Sequence, residues 1–286
     1  MPTVSVIMNC FNCAKYLCEA LDSAFGQTYK DFEIIFWDNL SSDSSIEIAK
    51  QYPIRFFSNT HLLPLGESRN LAIKQAAGKY IAFLDCDDVW LPTKLEKQVA
   101  LLESNPELAL VYADCYHINA GGKILLQSFK ASPPHMGYIF NDLFAHNFIP
   151  MVTVMARKDM MPAFSYGFDI AEEYDVWLKM AAAHPFDFVN ESLAKYRVYP
   201  ENTSSTRCEQ TVREDKLIMG YWLTRKPWLK ELAKRKQVML SAMLVRHYYR
   251  NREPKKLLTE CLNLVHLLPN SLVLIKKIPA ITRSIQ

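Results

Sequence analysis

The sequence predicts an α/β chain, built on an open, mostly parallel Rossmann-like sheet and continued by a C-terminal helical extension. Three observations predict it. Residues 4–104 alternate short apolar, β-branched runs with segments of helical period, the pattern of βαβ units. Polar residues cluster just after those runs, where open parallel sheets bind their ligands. The charge balance then changes near residue 205: residues 1–204 carry 16 basic and 24 acidic side chains, residues 205–286 carry 17 and 6.

Taken in order, Val4 to Met8 is a buried strand. Residues 14–25 set Ala14, Leu17, Cys18, Leu21, Ala24 and Phe25 at helical spacing, which puts Cys18 on the apolar face. Phe32 to Trp37 is a second strand, Ser42 to Gln51 a helix, Ile54 to Phe57 a third strand, and Gly66 to Ala77 a helix stopped near Gly78. Tyr80 to Leu84 is a fourth strand, and Pro92 opens a helix to about Ser104 as a favoured first residue. Beyond it, Leu108–Ile118 and Lys123–Phe129 flank Gly121-Gly122, a hairpin signal. Val152 to Ala156 is a strand, Glu173 to Ala183 a helix, and Leu193 to Tyr199 an edge strand before Pro200. From about 207 the chain is helical and basic through Leu217–Leu223, Trp228–Tyr249 and Pro254–Leu268. The expected domains are 1–205 and 206–286.

At 286 residues, 50% apolar and 22% charged, the chain has a globular balance with room for a sizeable core. The net charge of +3 sums two opposed parts, which argues against a nucleic-acid binder. Seven cysteines at irregular spacing suit reduced thiols in a cytosolic setting better than a disulfide framework. Cys10-x-x-Cys13 is half a zinc site with no second half in the sequence, so free or buried thiols are expected. The N-terminus shows no signal-peptide pattern, and no apolar run is long enough to span a membrane; the late stretch Leu262–Ile275 is broken by Pro269 and Asn270.

The chemistry concentrates after the strands. Asn9 and Asn12 follow the first, Asp38 the second. Asp85, Asp87 and Asp88 follow the fourth; carboxylates this close repel unless a cation or donors compensate, and hard oxygen ligands suit Mg²⁺ or Mn²⁺. An acidic helix start would account for them equally simply. Asp38 is suited to accept hydrogen bonds from a base or ribose, while Ser41, Ser42 and Asp43 are expected to cap the next helix. Gly66 allows close backbone approach, and Arg69 offers a fork of donors for a phosphate.

These segments together resemble the family 2 glycosyltransferases, which have the nucleotide-sugar-binding A-type fold. The resemblance rests on TVSVIMNCFN (3–12), EIIFWDNLSSDSS (33–45), GESRN (66–70), GKYIAFLDCDDVWLPTKLEKQV (78–99), EEYDVWL (172–178) and YRVYPENTSS (196–205). It covers about residues 1–205, and the order of the blocks makes it specific. It implies an inverting transfer of a sugar from a nucleoside-diphosphate sugar, UDP- or dTDP-linked, to a hydroxyl of a glycan or polyprenyl-linked acceptor in surface polysaccharide synthesis. By position, Phe11 packs on the donor's base, Asp38 binds that base, Arg69 faces the nucleotide, and Asp85 lies near the ribose. Asp87, helped by Asp88, holds a divalent metal, Mn²⁺ or Mg²⁺, on the diphosphate. Glu173 is the general base, with Glu172 the second choice. Trp90, Tyr174 and Trp177 are candidates to line an acceptor pocket, although all three suit a core as well.

Three departures stand out. Asn9-Cys10 replaces a frequent Pro-Thr, Asn39 replaces the second Asp of the Asp-rich turn, and Tyr199 stands where related chains have a His able to ligate metal. They leave a non-catalytic nucleotide-sugar-binding module as an alternative. An aspartyl phosphohydrolase is a weaker one, because its Asp-x-Asp-x-Val motif belongs after a first strand and Asp85 follows the fourth. A nicotinamide dehydrogenase lacks its G-x-G-x-x-G. The basic tail is either a set of solvated helices packed on the domain or a surface that docks on anionic membrane. The expected location is cytoplasmic, peripheral on the inner face of the membrane.

Overall fold

A computed structural model describes residues 1–199 and 207–267. Four expectations fall outside them: Pro200 as a strand stop, the end of the 196–205 block, the boundary at 205, and the break at Pro269-Asn270. The chain forms two compact units, Met1–Leu143 with Asn147–Asn202, and Phe144–His146 with Thr203–Gln286.

The first unit is built on a mixed, nine-stranded sheet. Strands β1 (Val4–Cys10), β2 (Phe32–Asp38), β3 (Arg55–Ser58) and β4 (Tyr80–Phe83) are all parallel, in the order β3-β2-β1-β4. The apolar runs of β1, β2 and β4 follow from burial on both faces: Val4, Val6 and Met8 are fully buried in one core with Leu17, Leu21 and Phe36. Helices α1 (Ala14–Phe25), α2 (Ser45–Ala49) and α3 (Leu65–Gln75) make the crossovers. Beyond β4 the sheet becomes mixed. β8 (Met155–Arg157) runs antiparallel between β4 and β6 (Leu110–Ile118), β9 (Phe186–Arg197) runs parallel to β6, and the short β5 (Val89–Trp90) lies antiparallel on β9. β7 (Ile124–Gln127) completes the expected hairpin on β6, with Gly122 at φ 81° in its turn.

Several boundaries differ for identifiable reasons. α4 (Lys94–Ser104) starts two residues after Pro92, whose carbonyl instead accepts a bond from the Thr28 N–H at 2.8 Å. β9 begins at Phe186 and is not an edge, because both β6 and β5 pair with it; its register shifts at Ala113 and Asp114 of β6 hid the alternation. The expected strand Val152–Ala156 opens instead with a 3₁₀ turn at Met151–Thr153. α7 (Glu172–Ala181) begins one residue earlier than expected and follows two short helices, α5 (Ser128–Ala131) and α6 (Phe140–Ala145).

The second unit contains α8 (Cys208–Arg225), α9 (Lys230–Arg250) and α10 (Pro254–Leu267). Pro254 opens α10, where its missing N–H costs nothing. The core of this unit is small: Val212, Leu240, Leu244 and Tyr248, joined by Met239 and Leu257. Among the described residues no helix is long and apolar enough to cross a membrane.

Candidate active site

The parallel strands end together. Cys10 pairs with Asp38, and the Leu84 N–H bonds the Ile7 carbonyl at 3.1 Å, so β1, β2 and β4 deliver their following loops to one edge of the sheet. Those loops are tied by side chains. Asp43 accepts from the Ala14 N–H at 3.0 Å and the Ser45 N–H at 3.0 Å, and Ser45 Oγ accepts from the Cys13 N–H at 2.9 Å. Asp43 therefore serves both its own helix and α1 across the loop; Ser44, the N-cap residue of α2, makes no side-chain cap bond itself. This satisfies otherwise orphaned N–H groups of α1.

Asn12 adopts a left-handed φ of 53° and joins the same knot. Its N–H donates to Ser41 Oγ at 2.9 Å, and its Oδ1 accepts from the Ser42 N–H at 2.8 Å. Asp38 is buried and folds its own loop, accepting from the N–H groups of Leu40 at 3.1 Å and Ser41 at 3.2 Å. Asn39 both donates to the Leu63 carbonyl at 2.8 Å and accepts from Asn59 Nδ2 at 2.6 Å. A carboxylate cannot donate, so the missing Asp has a local reason. Phe11 is 53% exposed beside this knot. Asn9, at the end of β1, has both side-chain amide atoms buried without a partner among the described residues.

Arg69, on α3, was expected to face the nucleotide. It is 2% exposed and holds two carboxylates instead, Glu172 at 2.5 Å and Asp85 at 3.1 Å, with Phe164 beneath the guanidinium at 5.7 Å. Burial alone would ease its proton off, but Asp85, Glu172 and Glu173 outweigh that and raise its pKa. Gly66, one turn earlier, is where α3 meets α7: a Cβ there would come within 3.2 Å of Phe164 Cβ and 3.4 Å of Glu172 Cβ. The Glu173 carboxyl is pushed up to about 8, by burial first and then by the Glu172 charge. One carboxylate is thus ion-paired, while its neighbour is held toward its protonated form.

Asp87 takes the Tyr199 hydroxyl at 2.9 Å, and its main-chain carbonyl accepts from Arg197 Nε at 2.7 Å. Asp88 Oδ1 accepts from the Arg197 N–H at 2.7 Å, while Oδ2 is buried without a partner among the described residues. Burial, then the neighbouring acids, raises both carboxyls, Asp88 the more strongly. Crowded, under-satisfied hard oxygens of this kind fit a divalent cation.

Arg197 was quoted in a sequence block but given no role. Its buried guanidinium bonds Glu19 at 2.5 Å and the Ala120 carbonyl at 3.2 Å, and it covers Tyr16 at 4.2 Å, whose ring in turn meets Tyr199 at 5.8 Å. No spacing rule links residues so far apart, so only the fold reveals it. Trp90, Tyr174 and Trp177 require correction as acceptor residues: they are 2%, 1% and 0% exposed, and the Trp90 indole donates to the Val152 carbonyl at 3.0 Å. The reduced-thiol expectation is corrected too. Cys10 and Cys13 form a disulfide across the loop, and Cys18 is exposed because it falls beside the buried row of Leu17, Ala20, Leu21 and Ala24.

Residues 5–160 match the glycosyl transferase family 2 model. An uncharacterized glycosyltransferase of Methanocaldococcus jannaschii is 34% identical over 232 residues, 78% of each chain. The UDP-Glc:α-D-GlcNAc-diphosphoundecaprenol β-1,3-glucosyltransferase WfgD of Escherichia coli is 28% identical over 216 residues, covering 74% of this chain and 83% of that one. Among solved structures, Pyrobaculum calidifontis mannosyltransferase PcManGT in complex with GDP-Man and Mn²⁺ gives a TM-score of 0.65 at 16% identity, over 98% of this chain and 80% of that one. S. aureus TarS gives 0.61 at 20% identity over 94% of this chain, which spans 49% of the TarS chain. Fold, sequence and family model agree, and the chain belongs to glycosyl transferase family 2.

Proposed function

We propose that this glycosyltransferase is an inverting, metal-dependent enzyme that moves a sugar from a UDP- or dTDP-linked donor to a hydroxyl of a lipid-linked glycan. The observation that carries the reading is the buried Arg69 bridge. It ties the Asp-x-Asp segment at Asp85 to the acidic start of α7 at Glu172 and leaves Glu173 beside them with a raised pKa. The E. coli relative, named for transfer to a diphosphoundecaprenol-linked sugar, supports the acceptor class.

In this reading Glu173 removes the acceptor hydroxyl proton as that oxygen bonds the anomeric carbon. The bond from that carbon to the diphosphate oxygen breaks, and the nucleoside diphosphate leaves from the opposite face. Glu172 is held as the counter-ion of Arg69, and Arg69 orients both acids rather than touching phosphate. Asp38 and Asn12 shape the base loop, Phe11 offers its exposed ring to the base, and Asn9 and Asp85 flank the ribose. A bound Mn²⁺ or Mg²⁺ neutralises charge on the leaving diphosphate. Asp87 and Asp88 would hold it, with the Tyr199 hydroxyl competing for Asp87. Residues 1–205 would form the catalytic domain, and the basic helices after 206 a peripheral contact with the inner face of the membrane, where exposed Tyr221, Trp228 and Tyr249 accompany the lysines and arginines.

The testing experiment is a donor screen: UDP release from nucleotide sugars, with and without Mn²⁺, in the presence of a polyprenyl-diphosphate sugar. Metal-dependent release stimulated by acceptor supports the reading. Tight donor binding without turnover would instead make the chain a non-catalytic binder.

A further inference from the structure

Three sulfur atoms meet under the donor edge. Cys10 ends β1, Cys13 precedes α1, and Cys86 lies between Asp85 and Asp87. Their Sγ atoms are all within 4.8 Å of one another. Cys10 and Cys13 are joined as a disulfide, and Cys86 is a buried thiol donating to the Asn9 carbonyl at 3.3 Å. The sugar transfer uses none of the three.

We propose that reduction of the Cys10–Cys13 bond opens a soft-metal site, in which Cys10, Cys13 and Cys86 bind one zinc-like divalent cation through three sulfur atoms. Zinc–sulfur bonds of about 2.3 Å put the sulfurs of a tetrahedral site roughly 3.8 Å apart. That spacing lies between the 2.03 Å of the bonded Cys10–Cys13 sulfurs and the 4.8 Å within which all three lie, so it becomes reachable once the disulfide no longer holds two of its members in contact. The C-x₂-C spacing is that of half a structural zinc site, and the fold supplies the third ligand from a distant segment. All three cysteines also pack in or against the apolar core with Met8, Leu17 and Trp90, a dry surrounding that favours sulfur ligation over exchange with water. The site is chemically distinct from Asp87 and Asp88, since thiolates select soft ions and carboxylates hard ones.

The balance is simple. A phosphine supplies two electrons and becomes its oxide, the S–S bond breaks, and one water supplies the oxide's oxygen and the two protons of the new S–H bonds. Cation binding then releases the thiol protons to solvent. The fourth position is left for water. Occupation would pin the Phe11–Asn12 loop to the Asp-x-Asp segment, whereas the disulfide fixes the loop to itself alone. This site goes beyond the transferase reading and does not depend on it.

The test uses the full chain, reduced with a phosphine, freed of reductant without oxygen, and titrated with Co²⁺ as a zinc probe. A thiolate-to-cobalt charge-transfer band is expected, saturating at a single equivalent, displaced by Zn²⁺ but not by Mg²⁺. It should be absent before reduction, lost in Cys10→Ser and Cys86→Ser, and kept in Cys208→Ser and Cys261→Ser. No band in the reduced protein, or an undiminished band in Cys86→Ser, overturns the proposal. A second readout needs no variant: Zn²⁺ should protect Cys10, Cys13 and Cys86, but not exposed Cys18, from alkylation read by mass spectrometry. Equal labelling of all four with and without Zn²⁺ contradicts the site.

Discussion

At the scale of single residues, the chemistry turns on which carboxylate is free to move a proton. Glu172 is tied to Arg69, and in the proposed reaction that leaves Glu173 as the base. Replacing Glu173 by Gln should lower kcat by about 10²–10⁴-fold while UDP binding, measured by calorimetry, stays unchanged. The base must be deprotonated to act. Because its pKa is raised to about 8, kcat/KM should climb as pH rises from 6, pass half its maximum near 8 and level off only above that; a plateau already reached at pH 6 would assign the base elsewhere. Arg69→Met strands the buried Glu172 carboxyl and should cost about 3–5 kcal/mol, read by urea unfolding. Tyr199→His replaces a hydroxyl that occupies Asp87 by a potential metal ligand, and should reduce the Mn²⁺ concentration needed for half-maximal activity. Where these acids lie was legible in the sequence, because Asp85, Asp87, Glu172 and Glu173 sit in short, ordered blocks. What was not legible is who partners whom. Arg69 looked like a phosphate ligand because a guanidinium suits phosphate and carboxylate alike, and only the approach of α7 decides between them.

At the scale of elements, the site depends on α3 and α7 meeting at Gly66. A methyl group there would sit within 3.4 Å of Glu172 Cβ. Gly66→Ala gains about 1 kcal/mol of helix propensity and loses a similar amount to crowding. Its melting temperature should therefore change little while kcat falls, a split visible by comparing thermal unfolding with turnover. The elements themselves followed from periodicity wherever strands are buried on both faces, as in β1, β2 and β4. Periodicity was less informative past residue 150. There antiparallel strands join the sheet, a 3₁₀ turn takes up the start of the expected strand before β8, and the register shifts along β9 break the alternation that a strand would otherwise show. Of the expected caps, Asp43 does accept from the first N–H of α2 but also reaches across to α1, while Ser41 and Ser42 bond Asn12 instead, tertiary choices that local sequence does not encode.

At the scale of the whole molecule, the near-neutral total conceals an acidic part, residues 1–204, and a basic one, residues 205–286. The membrane proposal for the second belongs here. Full-length protein should float with vesicles containing anionic lipid and not with neutral ones, and combined Lys226→Glu and Trp228→Ser should weaken that binding without changing turnover of a soluble acceptor. Unchanged flotation would remove these residues from the contact. The central claim, inverting transfer with Glu173 as base, is tested most directly by following one reaction by NMR. An α-linked UDP-sugar and a polyprenyl-diphosphate-linked acceptor are incubated with wild-type or Glu173→Gln enzyme and Mn²⁺, and the anomeric configuration of the product is read. The account predicts a β-linked product from the wild type and almost none from the variant; an α-linked product, or equal turnover by both proteins, would contradict it.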